Sequence, residues 1–252
     1  NHGTINANST TGQSIAIIGA NWSSDGLLKS SNTGNLYLGG TFSGTSLSNQ
    51  TIAGHGDFDS TAGGAIRITG TADNSTNTQD INVTDASGNL HLTGGTIIGG
   101  GIVTTGTAKL IATRGVLDGI TLAGTMELRD SGTVTVQNDL TLDNGLIEFE
   151  STPGFYSYGS TYKNLSFSGV GTQYLTGNGE VKFTSRSSRQ HHALYADEVG
   201  STLDIGAGIT ISGEVRGTVG KATTGLVNHG TINANSTTGQ SIAIIGANWS
   251  SD

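Results

Sequence analysis

Cysteine is absent from the 252-residue chain, and proline and methionine occur once each. Disulfide bonds and thiolate metal sites are therefore excluded. Charged residues make up 12 % of the chain and the net charge is −8. Because the few Lys and Arg residues are scattered singly, no basic stripe is available to contact phosphates, and nucleic acid is not an expected partner. No apolar run approaches the roughly 18 residues that span a bilayer, so we expect no membrane span in this segment.

Glycine is the residue in excess, with 41 copies. Glycine and proline together still stay below the roughly 25 to 30 % share that is typical of low-complexity coil. Short runs of Ile, Val and Thr alternate with polar residues from end to end, and disordered chains lack such runs. The composition therefore predicts an ordered, all-β protein.

The most specific pattern is an internal repeat without a single change. Residues 1–25, NHGTINANSTTGQSIAIIGANWSSD, recur at 228–252, which sets a period of 227 residues. We interpret 1–227 as one full repeat unit and 228–252 as the start of the next identical unit, in a window cut from a longer tandem array. A fibre built by reiteration suits such a pattern better than an enzyme does, so we expect no catalytic activity and no cofactor.

Strand signals recur along the whole chain as pairs of apolar residues two positions apart. Polar residues between the members of a pair, such as Arg67, His91 and Glu127, are expected on a wet outer side. Only the segment from Ala193 to Val199 is compatible with a turn of helix. The strand pairs are Ile5/Ala7, Ile15/Ile17, Leu36/Leu38, Ile66/Ile68, Ile81/Val83, Leu90/Leu92, Ile120/Leu122, Met126/Leu128, Val134/Val136, Leu140/Leu142, Ile147/Phe149, Leu165/Phe167, Val181/Phe183, Leu203/Ile205 and Ile209/Ile211.

A looser repeat groups these strands about three at a time and predicts a right-handed parallel β-helix, or β-solenoid, with about nine coils per 227-residue period. At roughly 4.8 Å per coil, nine coils give about 43 Å of axial rise. The alternative is an array of β-sandwich domains, with hairpin signals at Asp118-Gly119 and Asn144-Gly145. The coils begin near Leu27, Ile52, Ile81, Ile102, Ile120, Leu140, Leu165, Leu203 and Leu226.

Two segments, Ser151 to Lys163 and Ser185 to Ser201, enlarge their coils and are expected to project as loops, where recognition usually occurs. Their aromatic rings suit stacking on sugars, or packing against a neighbouring strand of a fibre. The adjacent histidines lie near Asp197 and Glu198, but neighbouring side chains on an extended chain point apart, so no metal site is predicted. The candidate contact residues are Phe155, Tyr156, Tyr158, Tyr162, Arg186, Arg189, His191, His192 and Tyr195.

A third function class is suggested by Gly54-His55-Gly56-Asp57 with Asp59 and, further on, Arg67. These residues resemble fragments of the catalytic signature of polygalacturonase-type β-helix glycosidases, which use a paired acid and base. The Asn-x-Asp and paired Asp elements of that signature are missing before His55. A β-helix polysaccharide hydrolase or lyase is therefore the least favoured alternative.

The segment Gly225 to Asn235, GLVNHGTINAN, with the runs GTVTV at 132–136 and LTLDNG at 140–145, resembles the passenger repeats of bacterial autotransporters and filamentous-haemagglutinin-type adhesins. The resemblance implies a secreted, surface-displayed right-handed β-helix from a very large bacterial protein. The long exact period departs from those families and favours a giant repeat protein or a filament subunit. We therefore predict a structural module of an extracellular fibre, stalk or sheath that contacts further copies of itself, with a glycan-binding adhesin as the alternative.

Overall fold

The computed structural model describes residues 1–48, 53–54, 64–76, 79–85, 87–130, 132–149, 162–184, 191–237 and 239–251. Within these ranges the protein is all-β, and its one helix is α1, Thr45–Ser48. Every strand pairing in the described part of the chain is parallel. None of the helical residues in these ranges forms a segment long and apolar enough to cross a membrane.

The strands are short near both ends of the chain and longer in the middle. The first are β1 (Ile5–Ala7), β2 (Ser14–Ile17), β3 (Leu28–Ser30), β4 (Asn35–Leu38), β5 (Thr41–Ser43), β6 (Ala53–Gly54), β7 (Ile66–Ile68), β8 (Thr71–Asp73) and β9 (Ile81–Val83). The middle strands are β10 (Leu90–Ile98), β11 (Gly101–Thr104), β12 (Leu110–Ala123), β13 (Thr125–Leu128), β14 (Gly132–Phe149), β15 (Tyr162–Phe167), β16 (Thr172–Phe183) and β17 (His191–Ala196). The last are β18 (Thr202–Ile205), β19 (Ile209–Gly213), β20 (Gly217–Val219), β21 (Gly225–Asn228), β22 (Thr231–Ala234), β23 (Ile242–Ile244) and β24 (Trp249–Ser251).

The parallel pairings arrange these strands in three columns, and the chain visits the columns in turn. The first column can be followed without a break through one inward-facing position of each strand. That position is occupied by Ile15, Leu36, Ile66, Leu90, Leu110, Met126, Ile147, Val181, Ile211 and Ile232.

The second and third columns follow the same rule. The second passes through Trp22, Phe42, Ala72, Ile97, Leu117, Val136, Phe167 and Ala196, and its strand β17 continues to β20 and β23. The third contains β1, β3 and β6 as a separate three-stranded sheet, and then β9, β11, parts of β12, β14 and β16, and finally β18, β21 and β24.

The core consists of apolar side chains stacked one above another in each column. Phe149 pairs with Phe183 in register, and their rings meet edge to face with centroids 5.0 Å apart. Each fully buried side chain of this size stabilises the fold by about 1.5 to 3 kcal/mol. Close stacking also explains some glycines, because a Cβ at Gly217 would lie 2.3 Å from the Phe183 ring.

The hairpin signals of the sandwich alternative lie inside long strands, at points where the chain passes from one column to the next. Gly119 has a φ of 62° between the second-column and third-column parts of β12. Asn144 has a φ of 52° between the third-column and first-column parts of β14. Left-handed residues are common in turns, and here they bend the chain without reversing it. No antiparallel hairpin forms in the described residues, so the sandwich prediction is wrong there.

The predicted strand pairs all lie in strands, and the all-β prediction is confirmed. The segment from Ala193 to Val199, which is compatible with a turn of helix from its sequence, instead begins as a strand, because β17 continues to Ala196 and pairs with β15 and β20. Alternation decides the outcome, since Leu194 and Ala196 are buried. The coil start assigned to Leu165 is also misplaced, because Leu165 lies in the second column while the neighbouring starts, such as Leu140 and Leu203, lie in the third.

Candidate contact sites

Three predicted contact residues come together on the outer side of β15 and β17. The two strands pair residue by residue, so Tyr162 lies beside His191 and Ser166 lies beside Tyr195. Along β17 the side chains of His191, Ala193 and Tyr195 are half-buried. Those of His192 and Leu194, which alternate with them, are buried. We call Tyr162, His191 and Tyr195 the outer patch.

The first half of the outer patch is an aromatic pair. The ring centroids of Tyr162 and His191 are 5.9 Å apart, and 54 % of Tyr162 is exposed. The His191 Nε2 atom lies 2.8 Å from the Thr218 hydroxyl. Partial burial, and then the positive charge of Arg216, lowers the pKa of His191 below its ordinary value. The ring is therefore neutral at pH 7, and one of its two nitrogens is already engaged by Thr218.

The second half of the outer patch is a cation above a ring. The Lys221 Nζ atom lies 5.4 Å from the centroid of the Tyr195 ring and 2.7 Å from an Asp197 carboxylate oxygen. The hydrogen bond to Asp197 is the main cause that raises the pKa of Lys221. The Asp197 carboxylate, which the sequence places near the histidines, is thus engaged by a lysine. No group of three or more metal-ligating side chains occurs in the described ranges.

His192 is a correction to the predicted contact surface, because its side chain is fully buried. Its ring centroid lies 5.3 Å from that of Phe149 and 6.1 Å from that of Phe183. The Nε2 atom donates to the Thr184 carbonyl at 3.0 Å. Burial, and then the charge of Lys163, lowers the pKa of His192 to about 3. The expectation that the two adjacent histidines point apart is correct, and it places His192 in the core.

The remaining predicted contact residues, Phe155, Tyr156, Tyr158, Arg186 and Arg189, lie outside the described residues. So do Asp57 and Asp59 of the hydrolase alternative. The prediction of a loop from Ser185 to Ser201 is wrong over the six residues of β17.

On the outer side of the first column lies a charge cluster that consists of the buried Arg67, His91, Glu127 and Arg129 and the half-buried Lys109. Glu127 is 1 % exposed and accepts hydrogen bonds from Lys109 Nζ, at 2.8 Å, and from Arg129 Nε. Lys109 also donates to Glu148 at 3.1 Å. The expectation that Arg67, His91 and Glu127 face water is wrong.

In the charge cluster, hydrogen bonds keep Glu127 ionised, whereas burial keeps His91 neutral. Burial alone raises the pKa of Glu127, but the hydrogen bonds from Arg129 and Lys109 outweigh it and lower the pKa overall. Burial, and then the charges of Arg67 and Arg129, lowers the pKa of His91 to about 3. At neutral pH Glu127 is therefore an anion held by two cations, and it is not a proton donor. The cluster ties neighbouring strands of the first column together.

One sequence signal could have revealed this burial. Ile111 occupies the outward position between Leu110 and Ala112, and all three are buried. Ile111 pairs with His91 on one side and with Glu127 on the other. An isoleucine where alternation requires a polar residue indicates that this part of the outer side is covered.

The two copies of the repeated segment form the same local structure. In the first copy Asn1 Nδ2 donates to Ser24 Oγ at 3.0 Å and to the Gly3 carbonyl at 2.9 Å. In the second copy Asn228 Nδ2 donates to Ser251 Oγ at 3.3 Å and to the carbonyl of the glycine two residues on, at 3.0 Å. Strands β1 and β2 correspond to β22 and β23, and Trp22 corresponds to Trp249 in β24.

The two copies differ in the direction of their pairing. The first copy pairs with strands that follow it, and Trp22 stacks on Phe42 with ring centroids 4.4 Å apart. The second copy pairs with strands that precede it. Apolar side chains remain exposed on the unpaired sides, with Ile15 at 40 %, Ile244 at 40 % and Trp249 at 54 %.

Comparisons of the chain with protein-family models, with curated proteins and with solved structures find no match.

Proposed function

We propose that this chain is a structural module of a long extracellular fibre, stalk or sheath, with a role in adhesion or cell-surface architecture. In this proposal the three columns are the sides of a right-handed parallel β-helix, and three successive strands make one coil. Further copies of the unit stack end to end through the same parallel hydrogen bonds. Continuous backbone ladders along the axis give such a fibre its stiffness. The extracellular location rests on the resemblance of residues 225–235 to surface adhesin repeats.

One observation carries the proposal. The same 25-residue segment pairs forward in its first copy and backward in its second. A unit inside an array would make both sets of pairings at once, and an unpaired strand edge needs such a neighbour. The exposed side chains of Ile15, Ile244 and Trp249 would then be covered by apolar neighbours. The unit is therefore suited to be continued by itself.

We test this proposal with chains of one, two and three 227-residue units. Each chain ends with the 25-residue copy. Electron microscopy is expected to show rods of constant width that lengthen by about 43 Å per unit, the rise of nine coils. Beads on a string, or particles that widen as units are added, would refute stacking.

The variant Ile244→Arg provides a matched control. In the 252-residue chain Ile244 is 40 % exposed, so an arginine there is expected to be tolerated. At the join between two units the same position would be covered from both sides, and a buried unpaired charge is strongly destabilising. We expect a kink or a break at the join of the two-unit rod and an intact single unit.

The outer patch supports a second candidate function, glycan binding by an adhesin. Tyr162 offers an exposed ring beside the neutral His191, and both a ring face and hydrogen-bonding groups suit a sugar. A glycan array with the 252-residue chain tests this function. Saturable binding that is lost in Tyr162→Ala and kept in Tyr174→Ala, whose ring is 41 % exposed on β16, would support the adhesin. Absence of saturable binding would leave the structural role alone.

A further inference from the structure

The two identical segments lie in different columns. Strand β2 of the first copy belongs to the first column through Ile15 and Leu36, whereas its equivalent β23 belongs to the second through Val219 and Ile244. The other two strands of the segment move in the same way. Strand β1 lies in the third column and β22 in the first, while Trp22 pairs in the second and Trp249 in the third.

The shift can be counted along the first column. Nine steps of parallel pairing lead from Ile15 to Ile232. The residue equivalent to Ile15 is Ile242, which lies one strand later, in the second column. One period of 227 residues therefore contains nine rounds of the three columns and one additional strand.

We infer that each successive unit of the array begins one side further around the solenoid, so that equivalent residues face three directions in turn. The inference rests on the proposed stacking of units. The additional strand raises the axial advance to about 45 Å per unit, and the original side returns after three units, at about 134 Å. The outer patch would then be displayed on all three sides of the fibre rather than along one edge.

The side chains at the join agree with this advance in every column. Superposing the two copies places the shared isoleucine of β1 and β22 between Ile211 and Leu28. It places the shared tryptophan between Leu226 and Phe42.

The third strand of the segment gives the same result. Its isoleucine, Ile17 in the first copy and Ile244 in the second, falls between Val219 and Leu38. All three columns therefore continue as apolar ladders across the join. A unit shifted by one strand is consequently continued without a mismatch in the core.

Distances between spin labels test the inference in the 252-residue chain, which contains no other cysteine. The variant Ala16→Cys places one label on the first column, at an exposed outward position. Second labels at Asn233→Cys, Ala243→Cys and Ser250→Cys, one per chain, occupy exposed outward positions of β22, β23 and β24. These partners sample the first, second and third columns at nearly the same height.

The order of the three distances decides between the alternatives. If the unit advances by one side, the pair of Ala16 with Asn233 is the shortest, near about 43 Å for nine rungs. If equivalent residues share a side, the pair of Ala16 with its own copy Ala243 is the shortest instead, and the inference is overturned. If none of the pairs gives a defined distance near that value, the stacked coils themselves are refuted, and with them the proposed function.

Gold labelling tests the inference independently, so it remains available if one of the spin-label variants does not fold. Val199 is 82 % exposed, so Val199→Cys in a three-unit chain carries one gold particle per unit. Particles distributed on both sides of the rod axis in projection are expected from the advance. A single file of particles along one edge would contradict it while leaving the rod, and hence the stacking, intact.

Discussion

The two buried histidines predict that the folded protein loses stability as the pH falls from 7 to 5. His91 and His192 are both fully buried, and each has a pKa lowered to about 3. Desolvation is the first cause at both sites. The nearby charges of Arg67 and Arg129 act on His91, and that of Lys163 acts on His192. Both rings are therefore neutral in the folded protein throughout the physiological range.

The direction and the size of this change in stability follow from proton binding to the two histidines. The unfolded chain binds a proton at each histidine below the ordinary pKa of 6.5, whereas the folded chain does so only near about 3. The free energy of unfolding is therefore highest above pH 6.5, and it decreases as the pH falls through the range between the unfolded and the folded pKa values. From pH 7 to pH 5 each histidine removes about 2 kcal/mol from the free energy of unfolding, and the pair removes about 4 kcal/mol.

Urea unfolding followed by circular dichroism at pH 7 and pH 5 measures this loss. The window stops at pH 5 because the pKa of Glu127 is lowered below 4.5, so that carboxylate stays ionised. His192→Leu removes one titrating ring, and its lost bond to Thr184 affects both pH values equally. We expect this variant to reduce the loss of stability between pH 7 and pH 5 by about 2 kcal/mol.

The control is Phe183→Leu, which alters a buried side chain that has no titratable group, so it should lower the free energy of unfolding by the same amount at pH 7 and pH 5. An unchanged pH response in both His192→Leu and His91→Leu would refute the reasoning, since it would mean that neither ring is kept neutral by burial.

Two further predictions use matched residues within the chain. Trp22→Ala is expected to lower the free energy of unfolding by about 2 to 3 kcal/mol because the ring stacks on its neighbour, and Trp249→Ala by less than about 1 kcal/mol because its ring is 54 % exposed. Glu127→Gln removes the buried carboxylate charge that Lys109 and Arg129 both contact and should cost about 3 kcal/mol, measured by urea unfolding at pH 7. Lys221→Ala, which removes an exposed ion pair, should change stability by less than about 1 kcal/mol and serves as the control for both.

Most of the fold could be predicted from alternation because each strand has an apolar inner side and register is set by that side. The strand pairs from Ile5 to Ile211 are local patterns, and all of them form strands. Most of the predicted coil starts, such as Ile81 and Ile102, lie in the third column. Leu165 is assigned to the wrong column because a strand looks the same from sequence whichever column it enters.

The contact site was harder to predict because sequence does not show what covers the outer side. Tyr162, His191 and Tyr195 do share a surface, since positions two and four apart on a strand point the same way. The same alternation places His192 in the core, which composition alone could not show. The burial of outward positions such as Glu127 depends on tertiary contacts, and Ile111 is the one residue in the sequence that indicates it.

The number of coils per period could not be read from the nine starts, because the remainder is a single strand. Sequence identity fixes the length of the period at 227 residues, but the column of a strand is fixed only by its partners. In the proposed three-sided solenoid, a remainder of one strand has a specific consequence for contact. Weak binding sites that all lie on one edge can act together only on a partner at that edge. Sites that face three directions allow one fibre to contact neighbours on all of its sides. In the proposed fibre, the additional strand therefore leaves no side preferred for contact.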